Sequence, residues 1–94
     1  MSDQTYAVRY GYVPDMDSRR EPHRADHLAF LRSHGERGDL VLAGALTDPV
    51  DGAWLVVRAG SEQAAYALVS QDPYVQAGLV RSITVRSIVL VVPD

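Results

Sequence analysis

Residues 79–92 read LVRSITVRSIVLVV, a long segment rich in valine and isoleucine. β-Branched side chains lose rotamer freedom in a helix and pack well on a pleated sheet, so this composition favours a strand. Pro93 follows directly and ends the strand, because proline has no N–H for a ladder hydrogen bond. We therefore expect a long last strand over residues 79–92.

The segments before this strand supply three more strands and two helices. Tyr6 and Tyr10 lie on one side of an alternating pattern and Arg9 on the other, which is the period of a strand. Ser61 is a good N-cap for a helix that ends before Asp72-Pro73. The predicted elements are a strand at 5–13, a loop at 14–21, a helix at 23–37, strands at 40–46 and 53–59, a helix at 61–71 and the strand at 79–92.

This β-α-β-β-α-β order is that of an α+β, ferredoxin-like sandwich: a four-stranded antiparallel sheet with two helices on one face. Helices that cover one face leave the other open. The last strand has apolar residues in both parities, Ile83 and Val85 in one and Val80 and Ile88 in the other. Large exposed apolar patches are rare on soluble proteins, so we expect the open face to pair with a second copy in a homodimer.

Composition excludes several classes of function. The 94 residues form a single domain, 1–94, and the net charge of -3 argues against a nucleic-acid partner. The start has no signal-peptide pattern and no apolar run is long enough to span a bilayer, so we expect a cytoplasmic protein without a membrane partner. Cysteine is absent and all nine cationic residues are arginine, which excludes a thiolate nucleophile and Schiff-base chemistry.

Three segments together carry a family resemblance. They are RADHLAFL at 24–31, LAG at 42–44 and DPYVQAG at 72–78, in this order and spacing. With them the chain resembles the YciI-like (YCII-related) family over nearly its whole length. The resemblance implies a dimeric α+β barrel and a His-Asp pair, which map onto His27 and Asp72.

The chemistry of His27 and Asp72 supports two interpretations. Histidine titrates near neutrality, and a carboxylate on one ring nitrogen fixes the tautomer and increases the basicity of the other. The pair is therefore a candidate catalytic dyad. Alternatively, His27 is a partly buried helix residue and Asp72 caps a turn before Pro73.

Other side chains are candidates for binding. Arg24 either holds an anionic substrate group through a forked hydrogen bond or pairs with Asp26. Tyr10 and Tyr74 are candidate substrate-binding residues, although aromatic residues of a first strand often belong to a core or an interface. His23 lies four residues before His27, as in a metal half-site, but further ligands are missing, so we predict no metal and no cofactor.

The leading hypothesis is a small cofactor-independent enzyme, of lyase or isomerase type, that acts on a small cyclic or aromatic molecule. His27 exchanges a proton with the substrate and Asp72 orients it. Related barrels catalyse eliminations and isomerisations, so the resemblance implies this chemistry. The alternative is a non-catalytic ligand-binding or accessory protein with the same fold.

Overall fold

The computed structural model describes residues 3–92 as one antiparallel sheet with helices. The strands lie in the order β2-β3-β1-β4, and every neighbouring pair is antiparallel. This confirms the predicted α+β, ferredoxin-like fold class. The elements are β1 Gln4–Tyr12, α1 Met16–Arg19, a 3₁₀ turn Glu21–His23, α2 Arg24–Arg37, β2 Leu40–Ala45, β3 Gly52–Ala59, α3 Glu62–Val69, α4 Pro73–Gln76 and β4 Val80–Ser87.

The core lies between the sheet and the two longer helices. Strand β1 is central, and its alternate residues Tyr6, Val8, Tyr10 and Tyr12 are at most 6% exposed. Residues of β3 with the same facing, and Ala65 and Val69 of α3, complete the cluster. The residues that alternate on one side of β1 are thus the ones that the helices cover.

Helix α2 occupies the predicted segment but buries other residues than its apolar pattern suggests. Its two buried side chains are those of His27 and His34, whereas Leu28 and Leu31 are half-buried. The helix ends at Gly38, whose φ of 90° is accessible to glycine at little cost. An inward face built from histidines explains why the amphipathic pattern is weak.

The second predicted helix corresponds to α3 and has the expected cap. The Oγ of Ser61 accepts a hydrogen bond from the backbone N–H of Ala64 at 3.0 Å. The helix ends at Val69, two residues earlier than predicted, and a separate turn of helix, α4, begins at Pro73. That short turn supplies part of the site described below.

The loop predicted at 14–21 contains a turn of helix. Met16 opens α1 and is 1% exposed, so its side chain fixes this segment against the core. One buried residue among charged neighbours gives no periodic signal, which is why the sequence pattern misses α1. The backbone N–H of Arg20 then bonds the carbonyl of Met16 at 2.9 Å and places Arg20 at the end of the turn.

The last strand is shorter than predicted, since β4 ends at Ser87 rather than Val92. Its partner β1 begins at Gln4, and the last ladder contact joins the N–H of Ile88 to the carbonyl of Thr5 at 3.1 Å. Residues 89–92 therefore find no partner strand within residues 3–92. Pro93, the predicted terminator, lies outside the described residues.

The sheet face away from the helices is partly apolar, although less so than predicted. We call it the open face, and its residues include Ala7, Arg9, Leu42, Trp54, Val56, Arg58, Ser82, Thr84 and Arg86. The β4 positions on it are polar, because the apolar residues Ile83 and Val85 face the core. Exposed apolar surface comes instead from Leu42 and Trp54 and from the tail at 88–92.

Candidate active site

The candidate site is centred on His27 of α2 and on Asp72, which precedes α4. Nδ1 of His27 lies 2.7 Å from Oδ1 of Asp72. The Asp72 side chain is fully buried and that of His27 is 10% exposed. The fold thus brings together two residues that are 45 positions apart in sequence, and we call this pair the dyad.

Hydrogen-bond donors surround the Asp72 carboxylate. Besides the imidazole, Oδ1 accepts from the backbone N–H of Tyr74 at 3.0 Å, and Oδ2 accepts from the Tyr10 hydroxyl at 2.9 Å. An ionised carboxylate can only accept, so Nδ1 of His27 carries the proton in this pair. The ring is thereby held in one tautomer, and Nε2 remains as the nitrogen that can exchange a proton with a ligand.

Asp72 combines the two roles that the sequence left as alternatives. It is the N-cap of α4, where Pro73 occupies the first helical position and the Tyr74 N–H would otherwise lack a partner. The same oxygen that caps the turn contacts the imidazole. A cap geometry therefore holds the carboxylate in place for the dyad.

Tyr74 fixes the plane of the imidazole. The rings of Tyr74 and His27 stack with centroids 3.6 Å apart and an interplanar angle of 5°. Tyr12 packs against Tyr74 edge to face, with centroids 6.1 Å apart. The hydrogen bond and the stack together restrict both rotations of the histidine side chain.

A cavity of about 240 Å³ lies beside the dyad, with His27 in its wall. Since an apolar cavity of about 150 Å³ holds benzene, the space suits one substituted ring. Two larger concavities, of about 550 and 460 Å³, lie along the open face and its edge, and a third, of about 280 Å³, lies between α3 and β4. None of the three includes a dyad residue. We call the cavity of about 240 Å³ the dyad cavity. Its wall consists of Tyr10, Tyr12, Arg20, Arg24, His27, Leu28, Leu31, Ala43, Gly44, Ala45, Ala53, Leu55 and Tyr74.

All three predicted binding residues lie in that wall, together with one that sequence reasoning missed. Arg24 is exposed and forms no ion pair with Asp26 within residues 3–92, while Tyr10 and Tyr74 are buried. The missed residue is Arg20. It lies in the segment that the sequence predicts as a loop, so no helical spacing points to it.

Two buried polar atoms lack a hydrogen-bond partner within residues 3–92. They are Nε of Arg20 and the hydroxyl oxygen of Tyr74. Buried polar groups are nearly always hydrogen-bonded, so each such atom needs an explanation. Both atoms belong to residues that line the dyad cavity. The unsatisfied hydrogen-bonding groups of the described chain are therefore found in the wall of this cavity.

A second His-Asp pair, which sequence reasoning also missed, lies away from the cavity. Nδ1 of His34 is 2.9 Å from Oδ1 of Asp39, and the ring of Phe30 packs against His34. Neither member lines the dyad cavity. The contact joins the end of α2 to the start of β2, so we interpret it as structural.

The candidate metal half-site gains no further ligands. His23 lies in the 3₁₀ turn before α2 and is half-exposed. Within residues 3–92, no group of three or more histidine, cysteine or acidic side chains could hold a metal ion.

In the same described residues, none of the helices is long and apolar enough to cross a membrane.

The tyrosines beneath the dyad are held in their protonated form. Burial raises the pKa of Tyr10 far above the usual value of about 10, and the charge and hydrogen bond of Asp72 raise this pKa further. Burial also raises the pKa of Tyr12, again with a contribution from Asp72, whereas the positive charge of Arg20 opposes the rise. The Tyr10 hydroxyl therefore remains a donor to Asp72 across the physiological pH range.

These shifts predict a loss of stability in alkali. A tyrosine with a raised pKa in the folded state contributes stability that is complete below the unfolded pKa, near 10, and lost as pH rises above it. We expect the free energy of unfolding to fall above about pH 10 by up to about 1.4 kcal/mol per pH unit for each tyrosine. Urea titrations from pH 8 to 11.5 measure this slope. If the free energy of unfolding of Tyr10→Phe fell with pH as steeply as that of the parent protein, the prediction would be contradicted.

Removing the Tyr10 hydroxyl should destabilise the protein at neutral pH. Tyr10→Phe leaves Oδ2 of the fully buried Asp72 without its donor, and we expect a loss of about 1–3 kcal/mol. Tyr66→Phe is the matched control, because Tyr66 is 49% exposed and lies outside the cavity. Chemical denaturation at pH 7 checks both. Equal stabilities for the two variants would contradict the importance of the buried contact.

A comparison with protein families identifies the family of this chain. The family profile of the YCII-related domain matches residues 5–89. This range includes both members of the dyad and all four strands except Gln4 of β1. A comparison with curated protein sequences gives no match.

Solved structures with the same fold include a dehydrochlorinase. The chain is similar to the 5-chloro-2-hydroxyhydroquinone dehydrochlorinase of Burkholderia phenoliruptrix in complex with 2,5-dihydroxybenzoquinone, with a TM-score of 0.74, 21% identity, and coverage of 87% of this chain and 90% of that one. It is also similar to a putative antibiotic biosynthesis monooxygenase of Bacteroides thetaiotaomicron, with a TM-score of 0.60, 9% identity, and coverage of 98% and 92%. At these identities the likeness establishes the fold.

Proposed function

The chain belongs to the YCII-related domain family, and we propose that it is a cofactor-independent enzyme that moves a proton on a small cyclic or aromatic molecule. The observation that carries the proposal is the dyad, in which a fully buried carboxylate holds one nitrogen of an imidazole that lines a ring-sized cavity. A histidine that is oriented by a carboxylate beside a cavity is typical of active sites. The dehydrochlorinase of the same fold supports the reaction class.

In the proposed reaction, Nε2 of His27 accepts a proton from an acidic C–H or O–H bond of the substrate. In an elimination, the electron pair of that bond forms a new double bond while the leaving group departs with its own pair, as chloride does. In an isomerisation, Nε2 of His27 returns a proton to a different carbon, after its own proton has had the opportunity to exchange with solvent. Neither reaction transfers electrons between the substrate and another molecule, so neither requires an external oxidant or reductant.

The remaining residues of the site have supporting roles in this proposal. Asp72 is a positioning residue that stabilises the imidazolium formed when His27 accepts the proton. Tyr10 and the N–H of Tyr74 hold Asp72, and the ring of Tyr74 holds the imidazole in plane. Arg24 and Tyr74 line the space for the substrate.

Proton exchange with solvent tests the proposal without knowledge of the natural substrate. The protein is incubated in D₂O with hydroquinones, chlorinated hydroxyhydroquinones and unsaturated lactones, and NMR follows deuterium incorporation while an electrode follows chloride release. We expect His27-dependent exchange or elimination with at least one class. Binding without any exchange would favour the non-catalytic alternative.

We also propose that the chain forms a homodimer through the open face. Trp54 is 44% exposed and Leu42 is 50% exposed on that face, and the adjoining tail leaves Val89, Val91 and Val92 78–87% exposed. Burying this apolar surface against a second copy removes it from water, which favours association. No other described segment of the chain covers it.

Changing one residue of the open face should dissociate the dimer. Trp54→Asp places a charge at the interface, where burial without a partner is costly, and we expect a monomer at micromolar concentration. Tyr66→Asp, an equal change on α3 in the helical layer, should remain dimeric. Light scattering measures the mass of each variant. A monomeric parent protein, or a dimer that persists in Trp54→Asp, would overturn this interface.

A further inference from the structure

We infer that the dyad cavity binds a planar monocyclic anion, a carboxylate, phenolate or enolate, and that Arg20 is the residue that selects it. The inference rests on the proposed function, because it names the substrate class of the same site. It depends on the charges in the cavity wall, on the unused hydrogen-bond donors of Arg20 and on the shape of the remaining space.

The charged side chains in the cavity wall are cationic. Arg20 and Arg24 both line the cavity, and none of its lining residues is acidic. Asp72 lies behind His27, is fully buried and is not part of the wall. In a chain whose net charge is -3, this local excess of positive charge favours an anionic ligand.

Arg20 has more donors than the described chain satisfies. Its Nε is buried without a partner, and a terminal nitrogen lies 3.9 Å from Asp17, whose side chain is 75% exposed. Such an exposed and distant pair contributes little energy. A guanidinium that lines a cavity can hold a carboxylate by two parallel hydrogen bonds from its two terminal nitrogens.

The backbone holds Arg20 in a fixed place next to the aromatic part of the wall. Its N–H bonds Met16, which is buried, and its side chain is 23% exposed. The positive charge of Arg20 acts on Tyr12, whose pKa it lowers against the larger effect of burial. Arg20 is therefore an inner cation, whereas Arg24 is an exposed one on the same cavity.

The rest of the cavity favours a flat, apolar ring. Leucine and alanine side chains form much of its wall, and the stacked His27 and Tyr74 rings form an aromatic part. The volume of about 240 Å³ accommodates one ring and its substituents. A ring bound there with its oxyanion on Arg20 remains in the same cavity as the imidazole that would accept its proton.

Benzoate and benzamide test the inference because they share ring and shape but differ in charge. Protein-observed NMR titration measures both dissociation constants for the parent chain and for Arg20→Gln. We expect benzoate to bind the parent at least about 10-fold more tightly than benzamide, as charge-assisted hydrogen bonds require. In Arg20→Gln the preference should fall below about 3-fold, and Arg20→Lys, which keeps the charge without the fork, should be intermediate.

Arg32→Gln is the matched control, because Arg32 is exposed on α2, lies outside the cavity wall and carries the same charge. It should keep the full preference for benzoate. Equal binding of the two probes by the parent, an undiminished preference in Arg20→Gln, or an equal loss in Arg32→Gln would overturn the inference. Benzoate binding involves no proton transfer, so a failure of the proposed proton transfer in the D₂O assay is distinguishable from a failure of anion selection.

Discussion

Replacing His27 with asparagine is expected to lower turnover about 10²–10⁴-fold while the protein stays folded. Asparagine Nδ2 can take the place of Nδ1 and donate to Oδ1 of Asp72, so the buried carboxylate keeps that donor. The variant has no counterpart of Nε2, which is the atom that would accept the proton. The assay is the D₂O exchange or chloride release described above, alongside a melting curve.

His34→Asn is a closely matched control for this experiment. His34 is also buried on α2 and also bonds an aspartate through Nδ1, but it lies outside the dyad cavity. We expect its turnover to equal that of the parent. Full activity in His27→Asn, or an equal loss in both variants, would exclude His27 as the proton acceptor.

Replacing Asp72 with alanine should cause the largest loss of stability of any change at the site, about 3–5 kcal/mol. Three donors lose their acceptor at once: the Tyr10 hydroxyl, the Tyr74 N–H and Nδ1 of His27. A domain of this size is stable by about 5–14 kcal/mol, so the loss is a large share of the total. Urea denaturation measures it.

Asp72→Asn separates the charge of this residue from its hydrogen bonds. The Tyr74 N–H selects the amide oxygen at the Oδ1 position, where it can still accept from His27 as well. The amide nitrogen then faces Tyr10, whose hydroxyl can turn toward the Val69 carbonyl 3.4 Å away. We expect a stability loss below about 2 kcal/mol and a loss of turnover of about 10²-fold, because the imidazolium loses its compensating charge.

Asp39→Ala supplies the comparison for both Asp72 variants. Asp39 pairs with His34 but is 28% exposed, so water can replace the lost contact and the cost should be about 1 kcal/mol. If Asp72→Ala were no less stable than Asp39→Ala, the buried network around Asp72 would be energetically unimportant. If Asp72→Asn kept full turnover, its charge would have no part in the reaction.

Much of the fold could be predicted because its signals are local. The alternation of Tyr6, Val8, Tyr10 and Tyr12 indicated that these residues share one side of β1, and Ser61 gave the start of α3. A side chain that points inward on a strand or caps a helix does so through its nearest neighbours in sequence. The dyad was a different case. The chemistry of His27 and Asp72 allowed both a catalytic and a structural interpretation, and the family resemblance selected the pair.

Long-range pairing settled what these local patterns could not. The sequence of β4 continues as a strand to Val92, but the ladder ends near Ile88 because β1 begins at Gln4, and a strand requires a partner. The partners that allow His27 and His34 to be buried were equally hidden, because a buried imidazole needs a hydrogen-bond partner, and here each partner is an aspartate from a distant or neighbouring segment.

Element order, the alternation of β1 and the cap of α3 were thus determined by the sequence alone, because each depends on residues within a few positions of one another. The dyad geometry, the cavity beside it and the inward position of Arg20 were decided by the tertiary structure. Each joins segments that are remote in sequence, and the free energy of a buried polar group depends on the partners that folding brings to it.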